Sequence, residues 1–298
     1  MTECESAAGA GQPPFEIALP RQWRAPIIFN SPHSGADYPA EFLSASRIDL
    51  AALRRSEDSY VDEMIDGLTA LGFPVVRVHF PRSYVDVNRE PYELDPRMFD
   101  GRLPSFVNTR SMRVAGGLGT IPRVAGDGQE IYRDRLAVEE GLARIERLYK
   151  PYHRALRQLI AGARDQFGTV LLIDCHSMPS VGLSRDEPAR ADVVIGDRYG
   201  ISCSPLLSRA AESVFAGQGY STARNRPYAG GFITEHYGNP AGGAHAVQIE
   251  INRAIYMDEN SRDRGPGLER LAGDFAQLAI ALAEMPLGDF GTFPAAAE

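Results

Sequence analysis

Cysteine is scarce in this chain, and the three present, Cys4, Cys175 and Cys203, show no CxxC spacing. An odd, sparse count argues against a disulfide framework and suits a reducing cytoplasm. Long hydrophobic runs are missing too. No stretch of about 18 apolar residues occurs, so nothing in the sequence reads as a membrane span. Basic residues are not in excess: 31 Lys and Arg stand against 39 Asp and Glu, a net charge of −8. That disfavours nucleic acid as a partner, because phosphate binding needs a basic surface. A small anionic ligand stays open, since a few buried arginines can bind a carboxylate in a protein that is acidic overall. There is no internal repeat, low-complexity interior or clear linker, and no feature speaks to oligomeric state. The first residues, MTECESAAGAGQPP, lack a basic head followed by an apolar stretch and do not read as a secretory signal.

What is present is ordinary for a globular protein of 298 residues, with 44% hydrophobic and 23% charged residues. The expectation is a tail over 1–14, one domain over 15–288 and a second tail over 289–298. Ala25 to Phe29 (APIIF) reads as a strand entering a loop. Arg47 to Leu71 reads as helical, broken near Ser56. Pro74 to Phe80 and Ser83 to Asn88 read as strands, and Glu90 to Gly128 as a long functional or mobile loop. A helical stretch over Ile131 to Phe167 carries an apolar stripe, with Pro151 expected to kink or break it. Thr169 to Asp174 is a continuous apolar strand of the kind covered on both faces. Another follows near residue 194, then a helix over Pro205 to Ala216. Strands are expected near Ser221 to Asn225, Phe232 to Glu235 and Ala246 to Ile251. A regular helix closes the pattern, with Leu268, Leu271, Phe275, Leu278, Leu282 and Met285 in register. Alternating strands and helices indicate an α/β three-layer sandwich, a mixed, mostly parallel sheet with helices on both faces.

Sites in such sheets gather where strands end in loops, and several strand ends here carry polar residues. His33 lies in Asn30-Ser31-Pro32-His33-Ser34-Gly35, and His176 in Asp174-Cys175-His176-Ser177-Met178-Pro179. Taken singly, each could be a turn or capping histidine. Two imidazoles meeting across strand ends form a metal-site geometry, since Zn²⁺ takes neutral imidazole nitrogens, commonly one carboxylate, and a water. Glu250 sits inside an apolar strand, where a lone carboxylate is costly unless paired or functional. It could pair with Arg253; beside a zinc ion it could serve as a general base. Asn88 and Arg89, at another strand end, could grip a carboxylate through the guanidinium fork.

These segments, SPHSG, EDSYVDEM, DVNR, GLGTIPR, DCHSMP, GGFITEHYG and QIEINRAIY, together resemble the N-formylglutamate amidohydrolase family over about Asn30 to Met257. The resemblance implies a zinc-exopeptidase-like sandwich, related to zinc carboxypeptidases and aspartoacylases. It implies zinc-dependent hydrolysis of the formyl amide of N-formyl-L-glutamate, as in cytoplasmic histidine degradation, by one catalytic domain. It also implies His33 and His176 as metal ligands, Glu250 as general base, Arg82 as the residue polarising the scissile carbonyl, and Asn88 and Arg89 on the substrate carboxylate. Arg253 is a candidate for a second carboxylate. In the carboxypeptidase relatives the carboxylate ligand follows the first histidine by three residues. Here that position is Ala36, which cannot ligate. Asp58 is the expected substitute, with Glu57 and Asp37 as alternatives.

Other readings carry different expectations. A deacylase of another N-acyl amino acid, or a small-peptide amidase, would use the same zinc site. Co, Mn or Fe could occupy the same ligands. A non-catalytic sensor of acidic amino acids would bind without turnover, and would have no need of Glu250. The expected partner is a small anionic N-acyl amino acid, with no nucleic acid and no membrane.

Overall fold

Strands buried along their whole length build the centre of the molecule. The computed structural model describes residues 13–126, 128–180 and 191–290. Its main sheet contains β1 (Phe15–Ala18), β2 (Ile27–Ser31), β3 (Val75–Val78), β4 (Val170–Met178), β5 (Val193–Gly196), β6 (Thr222–Arg224) and β7 (Ala244–Asn252). They lie in the order β1-β3-β2-β4-β7-β5-β6. The β3–β2, β2–β4, β4–β7 and β5–β6 pairs are parallel, and β1–β3 and β7–β5 are antiparallel. The helices are α1 (Ala40–Ala45), α2 (Leu50–Arg54), α3 (Val61–Asp66), α4 (Met112–Ala115), α5 (Val138–Arg144), α6 (Lys150–Phe167), α7 (Pro205–Gly217), α8 (Phe232–Tyr237) and α9 (Gly267–Ala283). No helix among the described residues is long and apolar enough to cross a membrane.

Successive strand residues face opposite sides, and each side has its own core. Ile28, Val76, Val170, Leu172 and Ala246 meet Tyr152, Leu156 and Ile160 of α6. Ile27, Phe29, Leu171, Ile173, Val247 and Ile249 meet α3, α7 and the Leu271, Phe275, Leu278 and Leu282 stripe of α9. Each such fully buried side chain contributes about 1.5–3 kcal/mol. Helices on both faces of a mostly parallel sheet make this the expected α/β three-layer sandwich.

On the α6 side the apolar pattern stops before the strands do. There β4 runs Val170, Leu172, Asp174, His176, and β7 runs Ala244, Ala246, Gln248, Glu250, Asn252, while the opposite side stays apolar through Cys175 and Ile251. That change of character at the C-terminal strand ends marks the site.

Several local expectations are corrected. Ser83–Asn88 forms turns rather than a strand. The Tyr84 and Val85 N–H groups bond to the Pro81 carbonyl at 2.9 and 3.3 Å, and the Asp86 carboxylate accepts the Asn88 N–H at 2.9 Å. Buried Val85 and Val87 imitated strand alternation. Phe232–Glu235 is not a strand but opens helix α8. Its β-branched Ile233 and Thr234 suggested extension, but Asn88, distant in sequence, caps the Ile233 N–H at 2.7 Å. The long helix begins at Val138, not Ile131, and Pro151 does not break it. The turn at Ile145–Tyr149 is of the wide π type, with the Lys150 N–H on the Ile145 carbonyl, a spacing that accommodates a proline with no N–H to give. Strand β1 and helix α1 were not expected. Short pieces, including α4, punctuate the long segment from Glu90 to Gly128.

Most of the expected tails, residues 1–12 and 291–298, lie outside the described residues. Pro14 is packed against β3, its carbonyl accepting the His79 N–H at 2.9 Å. Phe290 is buried, and its carbonyl accepts from His245 Nε2 at 2.9 Å.

Candidate active site

The loop after β2 brings His33 over the sheet. It turns at Gly35, where a Cβ would lie 2.3 Å from the Phe80 carbonyl oxygen, so no other residue fits without moving backbone. The His33 carbonyl accepts the Asp58 N–H at 3.0 Å, which ties the break between α2 and α3 to this loop. His176 stands on β4, and Glu250 of β7 is its register partner, so the two side chains share one face.

His33, Asp58 and His176 are all buried, and their donor atoms converge. The two Nδ1 atoms are 3.1 Å apart. Asp58 Oδ2 lies 3.0 Å from His176 Nδ1 and 3.5 Å from His33 Nδ1. Ligands bonded at about 2.0–2.1 Å to a tetrahedral ion sit about 3.3 Å from one another, so these separations fit one small divalent cation. The outer nitrogens agree. His33 Nε2 is 2.7 Å from Asp86 Oδ1, and His176 Nε2 is 2.8 Å from Asp174 Oδ2. Donating Nε2–H to those carboxylates turns both Nδ1 lone pairs inward, the carboxylate–histidine arrangement of metal sites. Two lone pairs and a carboxylate oxygen facing one another call for positive charge. The His176 imidazole shows the same field: burial opposes its protonation, but the Asp174 charge and the bonds to Asp174 and Asp58 raise it well above its usual range. A divalent ion satisfies that field with both imidazoles neutral.

The alternatives to Asp58 point elsewhere. Glu57 turns to Tyr38 Oη at 2.8 Å, Arg54 Nε at 3.0 Å and Arg262 Nη2 at 2.5 Å. Asp37 is exposed. Burial would raise the Asp58 carboxyl, but its bonds to His176 and His33 and the charge of Arg82 hold it well below the usual range. Arg253 secures the other oxygen of Asp58: its Nη2 donates to Asp58 Oδ1 at 3.0 Å, its Nε to Ser177 Oγ at 3.1 Å and its Nη1 to the Arg55 carbonyl at 3.1 Å. All three nitrogens of Arg253, the residue expected on a second substrate carboxylate, thus have partners within the protein, though it also lines the cavity.

Glu250 is 6% exposed, and its Oε1 accepts from Gln248 Nε2 at 2.7 Å. Burial pushes its carboxyl up to about 7; His176 opposes the shift and Asp58 adds to it. Such a group can both take and return a proton near neutrality.

A cavity of about 460 Å³ opens over these residues, lined also by Arg82, Arg89, Arg113 and Gly231. Arg82 bonds Asp86 Oδ2 at 2.9 Å and lies 3.8 Å from Asp58 Oδ1. Arg89 donates to the Leu118 and Asn88 carbonyls at 2.9 and 2.8 Å. Burial lowers its pKa to about 10; Asp86 opposes the shift, and Arg82 and Arg113 add to it. Asn88 lines the cavity but is engaged at both ends, its oxygen by the Ile233 N–H and its nitrogen 3.4 Å from Asp174 Oδ2. Asp86, Asp174, Gln248 and Arg113 were given no role from the sequence. The signal for Asp174 and Gln248 was their place two residues before His176 and Glu250, on the same strand face.

Residues 25–257 match the N-formylglutamate amidohydrolase family. The N-formylglutamate deformylase of Pseudomonas aeruginosa is 31% identical over 250 residues, 83% of this chain and 87% of that protein. That of Pseudomonas putida is 30% identical over 241 residues, covering 80% and 84%. The crystal structure of an N-formylglutamate amidohydrolase from Ralstonia eutropha JMP134 superposes with a TM-score of 0.85 at 35% identity, covering 91% of this chain and 97% of that one. A protein of Agrobacterium tumefaciens, 20% identical with a TM-score of 0.60, shares the fold. With a family match that spans most of the sequence, and relatives above 30% identity along most of their own length, the chain belongs to the N-formylglutamate amidohydrolase family.

Proposed function

We propose that this chain hydrolyses N-formyl-L-glutamate to formate and L-glutamate, with a divalent cation, zinc in first place, held by His33, Asp58 and His176. The observation that carries the reading is the meeting of Nδ1, Nδ1 and Oδ2 within 3.5 Å of one another, beside a buried carboxylate and beneath an arginine-lined cavity. Family membership and the names of the relatives supply the substrate class.

A cation at those three donors would supply Lewis acidity, polarising an amide carbonyl and making water acidic enough to lose a proton near neutral pH. The rest falls to side chains. Glu250 takes the proton from the attacking water and passes it to the amide nitrogen, so that the C–N bond breaks to an amine and a carboxylate. Arg82, fixed by Asp86, directs N–H groups at the carbonyl oxygen as negative charge grows there; preorganised donors of this kind are each worth about 2.7–4 kcal/mol. Arg89, whose fork is steadied by two backbone carbonyls, takes a substrate carboxylate. Asn88 supports that wall by capping α8, and Arg253 keeps Asp58 in place. Free, buried Cys175 and Cys203 suit a reducing compartment such as the cytoplasm.

The test is formate release from N-formyl-L-glutamate before and after chelation, beside a panel of N-acetyl and N-succinyl glutamate. Release that is selective for the formyl substrate, lost on chelation and restored by zinc is expected. Equal or faster cleavage of the larger acyl groups would move the assignment to another deacylase.

A further inference from the structure

Most of the arginines that line the cavity already have partners. Arg82 lies on Asp86, Arg253 on Asp58, and Arg89 3.5 Å from Asp86 and on the Asn88 and Leu118 carbonyls. The side chain of Arg113 lines the same cavity and has no hydrogen-bond or ion-pair partner among the described residues.

Its backbone, by contrast, is fixed. Ser111 caps α4 by accepting the Val114 N–H at 3.1 Å. The Arg113 carbonyl accepts the Leu118 N–H at 2.8 Å, and the Gly117 carbonyl accepts the Arg123 N–H at 2.8 Å. The Leu118 carbonyl in turn accepts from Arg89 Nε. Arg89 and Arg113 are therefore carried on one braced wall, and the charge of Arg113 reaches Arg89. A half-buried arginine on a fixed backbone, with its donors unfilled, can receive a carboxylate, because the charged fork binds carboxylate through paired hydrogen bonds. One fork is enough for an amino acid's own carboxylate; a second fits a substrate with a second carboxylate on its side chain.

We propose that Arg113 is the specificity residue that binds the side-chain carboxylate of the substrate, the place the sequence had suggested for Arg253. The inference rests on the proposed reaction and adds the group that selects an acidic amino acid over its neutral isostere.

The test compares wild type with Arg113→Met and Arg113→Lys. Formate release is followed from N-formyl-L-glutamate and from N-formyl-L-glutamine, which differ in side-chain charge but hardly in shape. Binding of L-glutamate and L-glutamine is measured in parallel by calorimetry. Arg113→Met is expected to raise KM for N-formyl-L-glutamate by about 10- to 100-fold with kcat within about threefold, the range of a lost charge-assisted hydrogen bond. KM for the glutamine substrate should stay within about twofold, and Lys should restore part of the loss. Because the Arg113 side chain has no partner among the described residues, the thermal midpoint should not move. An unchanged KM for N-formyl-L-glutamate, or equal losses on both substrates, would overturn the role. If wild type released no formate yet bound L-glutamate through Arg113, the carboxylate site would stand and the reaction would fall.

Discussion

Replacing Glu250 by Gln removes one proton acceptor and little else. The Gln248 Nε2 that donates to Glu250 at 2.7 Å can donate equally to the new amide oxygen. Gln248 keeps its own oxygen on the Gly231 N–H at 2.8 Å, so it need not turn over. His33 is held by Asp86, His176 by Asp174 and Asp58 by Arg253, none of them through Glu250. Folding and cation binding should therefore be preserved, while the amide can no longer accept a proton. A positioned general base contributes about 10²–10⁴-fold, which at about 1.36 kcal/mol per decade is roughly 2.7–5.4 kcal/mol of barrier. Formate release should fall by that factor in kcat, with KM nearly unchanged and the metal content per chain equal to wild type. The acid limb of the wild-type pH profile, which reports ionisation of this carboxyl, should vanish from the residual activity. A Glu250→Gln enzyme that keeps more than about a tenth of wild-type kcat would remove Glu250 from the proton-transfer role.

Three further outcomes follow from the supports around the site. Asp174→Asn removes the carboxylate behind His176, and should weaken cation binding by about 10–100-fold in chelator competition, with unchanged affinity counting against the arrangement. His153 is buried with Nε2–H on the Val87 carbonyl at 2.9 Å and Nδ1 on Tyr237 Oη at 2.8 Å, and burial pushes its pKa down to about 3. The unfolded chain takes up this proton near pH 6.5 and the folded one does not. Stability should thus fall with pH from about 6.5 towards 3 by about 1.4 kcal/mol per unit, a slope that is missing in His153→Gln urea melts; parallel slopes would refute it. Phe275→Ala empties a site on α9 that is fully buried between α7 and the sheet, and should cost about 3–5 kcal/mol in the same melts, a loss under about 1 kcal/mol arguing against that packing.

The sandwich was readable because its signals are local. Continuous apolar strands such as Thr169 to Asp174 and the stripe of α9 each state their own burial. His33, His176 and Glu250 were readable for a similar reason, as polar residues placed where the strand pattern predicts core or strand end. Asp58 depended on resemblance. Adjacent acids in Ser56-Glu57-Asp58-Ser59 look alike in sequence, and only the Asp58 N–H bond to the His33 carbonyl and the Arg262 and Arg54 contacts of Glu57 send them opposite ways. Helix α8 was missed because its cap is Asn88, more than a hundred residues earlier, and no local window contains it. The hold of Arg253 on Asp58 was missed for the same kind of reason, since its partners Asp58 and Arg55 are nearly two hundred residues away.

The most direct test of the whole account is elemental analysis of the purified protein beside its His33→Ala, His176→Ala form. About one divalent ion per wild-type chain, zinc foremost, and none above background in the double variant is the expected result. A wild-type chain that releases formate from N-formyl-L-glutamate at full rate while carrying no metal would contradict it.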